Sequence, residues 1–247
     1  MGEELRQAVA GVWDAFGERR VSAVLEVCLC PVCMSEETRA RIVATPPRAL
    51  TASLVREYSN SAHGVPADTD DLKALLPRYL ELLASGEEVD YTAVGCELLR
   101  FGDAWRQDGT LFSAPERAAL DAWMRAFAAR TQEPAYTLDM LMAGPWGAAE
   151  VTAALDALFD APGTGAASLA RFANGLVEGA MPLGGLYAIG HAGLAEREAV
   201  ARWLGGEGMV ARLVSADAAV PEEERWGILA LFDLAGQVRV EMLPAHP

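Results

Sequence analysis

Ser113–Arg130 reads SAPERAALDAWMRAFAAR. Ser113 is an N-cap residue, and Glu116 three positions later completes a capping box. Leu120, Trp123 and Phe127 then recur at helical spacing. Together these features predict a helix running to Arg130, and the same reading extends outward in both directions.

Toward the N-terminus, Asp90 starts a helix to about Trp105 that places Tyr91, Val94, Leu98 and Trp105 on a buried face. Asp68-Thr69-Asp70 opens another through LKALLPRYLELLAS, with Pro77 marking a kink or a break. Thr51 caps a helix that carries Leu54, Val55 and Tyr58 and ends near His63-Gly64. A helix from Glu36 to Ala44 stops at Thr45-Pro46-Pro47, because the residue before a proline is pushed out of the helical region. Glu3–Phe16 lines up Leu5, Val9, Val12, Trp13 and Phe16 along one stripe.

Toward the C-terminus, helices are predicted over 137–143, 147–160, 165–178, 192–204, 207–216 and 222–235. No sustained period-two alternation bounded by hairpin turns occurs; Val21–Val27 and Gln237–Met242 are the candidates for short strands. No residue pattern recurs at a fixed period, which argues against a helical solenoid. The expected fold is all-α: a compact, irregular multi-helical domain over 1–247, with Gln107–Phe112 as the place for an internal boundary.

Val27–Met34, VCLCPVCM, holds three of the four cysteines and is the stretch that looks chemical. In an extended Val27–Cys30 segment, Cys28 and Cys30 share one face. Pro31 then favours a turn that returns Cys33 toward Cys30, as in a zinc knuckle. A closed structural zinc site takes four ligands, so a fourth must come from Cys96, His63 or a carboxylate. The alternatives are unligated thiols or redox chemistry. Redox chemistry draws support from Ser35-Glu36-Glu37, a helix start just after Cys33, but the βαβ context of a thioredoxin-like site is missing.

The bland readings compete at each outlying residue. His63 before Gly64 suits the last turn of a helix, and Cys96 suits a small buried hydrophobe. Gly163-Thr164-Gly165 lacks the preceding strand and later glycine of a dinucleotide fingerprint. Acidic pairs lie at helix starts, and no HExxH, GxSxG or Walker pattern occurs, so no catalytic residue is assigned.

Twenty Lys and Arg stand against thirty-five Asp and Glu, for a net charge of −15. That excludes nucleic acid and anionic membrane as natural partners and fits a basic protein partner, or simply solubility. Lys73 is the only lysine, and with the abundance of Ala, Gly and Leu this suggests a GC-rich, bacterial source. The acidic, amphipathic N-terminal stretch does not resemble a signal peptide. The uncharged run between Glu178 and Glu196 is shorter than the roughly 20 residues a membrane helix needs, and it contains Pro182. A cytoplasmic location is expected, where cysteine clusters more often serve metals than disulfides.

Residues 28–82 combine the cysteine cluster with Pro47-Arg48-Ala49-Leu50-Thr51, Tyr58, Ser61-Ala62 and Leu76-Pro77-Arg78-Tyr79-Leu80-Glu81-Leu82. This resembles a widespread uncharacterised bacterial protein family with an N-terminal cysteine cluster followed by an LPR-x-LEL helix. Family members often carry two adjacent cysteines, whereas Pro31-Val32 separates Cys30 from Cys33 here. The resemblance implies no role for any residue.

The expected function is a non-enzymatic cytoplasmic interaction or scaffold protein with a zinc-type cysteine site, such as an immunity-type partner of a basic protein. The alternative is a metal-dependent enzyme or metal-handling protein that keeps an open three-cysteine site.

Overall fold

A computed structural model of the chain describes residues 1–61, 69–87, 111–178 and 194–242, together with Val89 and Leu98. Among them every regular element is helical, eleven α-helices and two 3-10 turns, so the class is all-α. The chain forms two compact units, Met1–Phe127 and Ala128–Pro247. Most of Gln107–Phe112 and nearly all of the Asp90–Trp105 helix lie outside the described residues; Leu98, which is described, is buried.

The first unit holds α1 (Glu3–Phe16), α2 (Glu36–Ala44), α3 (Ala52–Asn60), α4 (Thr69–Ala84) and α5 (Ala114–Ala128). The stripe on α1 is buried as its spacing predicts, from Leu5 to Phe16. It packs on α4, whose Leu72, Leu75, Leu76, Tyr79 and Leu80 are buried as well. Burying each such side chain is worth about 1.5–3 kcal/mol, which outweighs any single cap or surface ion pair.

The caps set where these helices begin. Ser35 Oγ accepts from the Thr38 N–H at 3.0 Å, and Thr51 Oγ1 accepts from the Leu54 N–H at 3.3 Å. A 3-10 turn, Pro47–Ala49, follows α2 and is tied to α4 by Arg78, whose Nε donates to the Leu50 carbonyl at 2.8 Å. The Pro47–Leu50 segment and the Leu76–Leu82 helix therefore interlock. α4 runs unbroken through Pro77, so the break considered there does not occur.

At the start of α5 the capping box is present in both directions. Ser113 N–H donates to Glu116 Oε2 at 2.8 Å, and Glu116 N–H donates to Ser113 Oγ at 3.4 Å. Glu116 is buried, and its oxygens also meet Arg19 Nη2 at 2.8 Å and Lys73 Nζ at 3.3 Å. Burial opposes its charge, but the Ser113 N–H and hydroxyl and the Lys73 ammonium outweigh that and hold the carboxyl below its ordinary value of 4.5.

The second unit holds α6 (Pro134–Met142), α7 (Ala148–Phe159), α8 (Gly165–Glu178), α9 (Leu194–Leu204), α10 (Glu207–Asp217) and α11 (Arg225–Met242). α8 lies at its centre and touches α6, α7, α10 and α11. Phe159, Phe172 and Trp203 form an aromatic cluster, with Phe159 5.2 Å and Trp203 5.6 Å from the Phe172 ring centre. Asp156 Oδ1 accepts from Trp203 Nε1 at 2.9 Å, and Arg212 reaches Asp156 and, through two nitrogens, Asp160.

Two strand candidates are corrected. Gln237–Met242 forms the last turns of α11. Extending an existing helix adds a hydrogen bond per residue without a new nucleus, so a brief Val-Arg-Val alternation does not divert it. Val21–Val27 forms no strand; no strand occurs among the described residues with which it could pair.

Two outcomes test this packing. Glu116→Gln should destabilise the protein by about 2–3 kcal/mol in urea unfolding, because a buried charged acceptor of several hydrogen bonds is lost. A carboxylate held low contributes stability that is present above about pH 4.5 and lost as the pH falls through its folded-state value, so the substitution's effect should shrink in acid. Gly227→Ala should cost about 1–3 kcal/mol, since a Cβ there would run into the side-chain amide of Asn174 on α8 and lie 2.8 Å from its backbone nitrogen.

Candidate metal centre

Residues 17–35 connect α1 to α2 without a helix or strand of their own. Three apolar side chains, Val21, Leu25 and Met34, are buried and pin the segment to the core. Between the first two pins the segment is fastened by a polar clamp. Ser22 donates its N–H to Asp71 Oδ1 at 2.6 Å and its hydroxyl to Asp71 Oδ2 at 2.9 Å. Asp71 lies in the first turn of α4 and is buried. Its importance was not legible in the sequence, where an acid in a first turn looks like any other helix start.

The cysteines occupy the outer end of this segment. The Cys30 carbonyl accepts from the Cys33 N–H at 3.1 Å, closing a β-turn with Pro31 and Val32 at its corner. Proline's fixed φ suits the second position of such a turn, and Val32 at the third is 92% exposed. The turn expected from Pro31 is thus present. It folds Cys33 back so that the sulfurs of Cys28, Cys30 and Cys33 all lie within 4.8 Å of one another. Among the described residues this is the one group of three or more His, Cys, Asp or Glu whose ligand atoms converge in this way.

All three cysteines carry thiols; Cys30 is exposed, and Cys28 and Cys33 are half-buried. The Cys30 thiol is lowered from 9.0 to about 7, first by the Val32 N–H directed at its sulfur, then by the Cys33 and Cys28 thiols and the Cys33 N–H. A sulfur so placed is a thiolate for much of the time near neutrality, which is the form that binds metals and attacks electrophiles. Ser35 caps α2 immediately beyond the cluster, as its sequence predicts.

Three cysteine sulfurs gathered at one turn could hold a metal ion. In tetrahedral zinc coordination, Zn–S bonds of about 2.3 Å place sulfurs about 3.8 Å apart, and the three sulfurs here lie within 4.8 Å of one another. His63 and Cys96, the expected suppliers of a fourth ligand, lie outside the described residues, as do His191 and His246.

No helix among the described residues is long and apolar enough to cross a membrane. Fold and cluster together define a helical protein with a solvent-facing thiol triad competent for metal binding. Comparison with protein families, curated proteins and solved structures finds no match to the chain.

In metal-free, reduced protein, alkylation by iodoacetamide should be fastest at Cys30. Its rate should rise with pH through an inflection near 7, because the thiolate accumulates above the thiol's pKa. Mass spectrometry of the modified peptide checks the site. Cys30→Ser should abolish the component of the reaction with its inflection near 7.

Proposed function

We propose that the chain is a cytoplasmic, non-enzymatic interaction protein in which Cys28, Cys30 and Cys33 bind a structural zinc ion, with Cys96 or His63 as the fourth ligand. The observation that carries this reading is the convergence of three thiols, two of them on the Cys30–Cys33 turn and the third two residues before it. Thiolates are soft donors that select zinc over the hard, oxygen-seeking cations. Residues 17–35 have no regular structure of their own, so a metal there would brace a long connection that lacks helical or sheet hydrogen bonds.

The partner is a basic protein, possession of which would explain why a chain of this size carries a net charge of −15. Neutralisation of a basic toxin is one form such a pairing takes.

The exposure of Cys30 favours a second reading. A metal-handling protein, or an enzyme, would keep one coordination position open, and an exposed ligand eases exchange.

Elemental analysis of the full chain, purified without a histidine tag, separates these readings when run beside a Cys30→Ser/Cys33→Ser variant. The structural reading expects about one zinc per chain, lost in the variant together with a clear fall in melting temperature. Metal lost with no change in melting favours the exchangeable site. Protein kept reduced throughout and found to hold no metal overturns both. Failure to retain any basic protein at low salt would count against the proposed partner.

A further inference from the structure

A cleft of about 110 Å³ opens in the first unit where the end of α1 meets the 3-10 turn. It owes its shape to Gly17, whose φ of 68° turns the chain sharply after Phe16 and whose N–H closes the helix on the Trp13 carbonyl at 2.9 Å. Arg19 and Arg20 follow after Glu18, and Arg48 approaches from the Pro47–Ala49 turn, so three arginines line one small cleft. Trp13, Pro46 and Pro47 supply its apolar wall. This is unexpected on a chain in which acids outnumber bases thirty-five to twenty.

The ordinary duties of surface arginines explain only one of the three. Arg19 Nε donates to the Phe16 carbonyl at 2.9 Å, satisfying the end of α1, and its Nη2 meets Glu116. Arg20 has no hydrogen bond or ion pair among the described residues. Arg48 lies 4.3 Å over the centre of the Trp13 ring, a cation–π contact that holds its side chain in place while leaving its N–H groups without a described acceptor. Glu18 also borders the cleft but forms no ion pair with either among the described residues, so an excess of positive charge remains.

The geometry points to an anion site in which Arg20 and Arg48 bind a small phosphoryl group, as free phosphate or as a phosphomonoester. Guanidinium forks match tetrahedral oxyanions through paired hydrogen bonds, and a phosphoryl dianion has the oxygens and the charge to engage two forks at once. Trp13 and the two prolines offer an apolar neighbour for an organic substituent on the phosphate. This site is independent of the cysteine cluster and does not rest on its metal.

Isothermal titration calorimetry of the full chain at low ionic strength tests it, with inorganic phosphate and phenyl phosphate as probes beside the Arg20→Gln, Arg48→Gln and double variants. Saturable binding is expected, weakened about tenfold by each substitution and weakening as salt is added. Tighter binding of phenyl phosphate identifies a phosphomonoester site, and equal or tighter binding of inorganic phosphate identifies a site for the free ion. No saturable binding of either probe, or binding unchanged in the double variant, overturns the proposal. Should Arg48→Gln disturb the fold through its lost contact with Trp13, Arg20→Gln carries the test alone, because that exposed side chain supports nothing else described.

Discussion

The two hydrogen bonds from Ser22 to the buried carboxylate of Asp71 are what the cysteine site depends on. Residues 17–35 have no helical or sheet hydrogen bonding to give them a shape. Connections of that length without secondary structure are uncommon in compact folds and tend to be functional. Here the clamp and three buried apolar side chains hold both ends of the segment, and the Cys30–Cys33 turn needs to organise only the few residues between. A carboxylate buried without such donors would be strongly disfavoured, so the clamp and the burial of Asp71 require one another.

The same economy governs the rest of the electrostatics. A chain this acidic has few cations, and several of them are set against carboxylates inside each unit. Arg19 and Lys73 share Glu116 in the first, and Arg212 bridges Asp156 and Asp160 in the second. Such networks cost less entropy per contact than isolated surface pairs because each held side chain positions the next. Arg20 and Arg48 differ from these in lying together at one cleft without a described carboxylate partner.

How much of this was legible in sequence depended on whether the signal was local. Ser35, Thr51 and Ser113 were readable as caps because an N-cap hydroxyl acts on an amide three residues away. The stripe on α1 was readable because helical periodicity needs only its own residues. Signals that two structures share left alternatives open. The alternation in Gln237–Met242 suits a strand, but the residues before it were already helical, and continuation prevailed. Pro77 suits a break, yet the burial of Leu75, Leu76, Tyr79 and Leu80 around it holds α4 together past the missing hydrogen bond.

The cysteine site divides along the same line. By itself the sequence determined the all-α class, the helix starts and the turn that brings Cys33 back to Cys30, since each is a matter of a few neighbouring residues and their allowed backbone angles. Tertiary structure alone decided that Asp71, 49 residues beyond Ser22, would hold the segment, and that Arg78, 28 residues beyond Leu50, would brace the 3-10 turn. It likewise decided that Arg48 would come to rest on Trp13 beside Arg20. The physical reason is that a hydrogen bond or ring contact across such a separation leaves no periodic trace in the chain: it exists only after burial of the core on α1 and α4 has brought the two segments together.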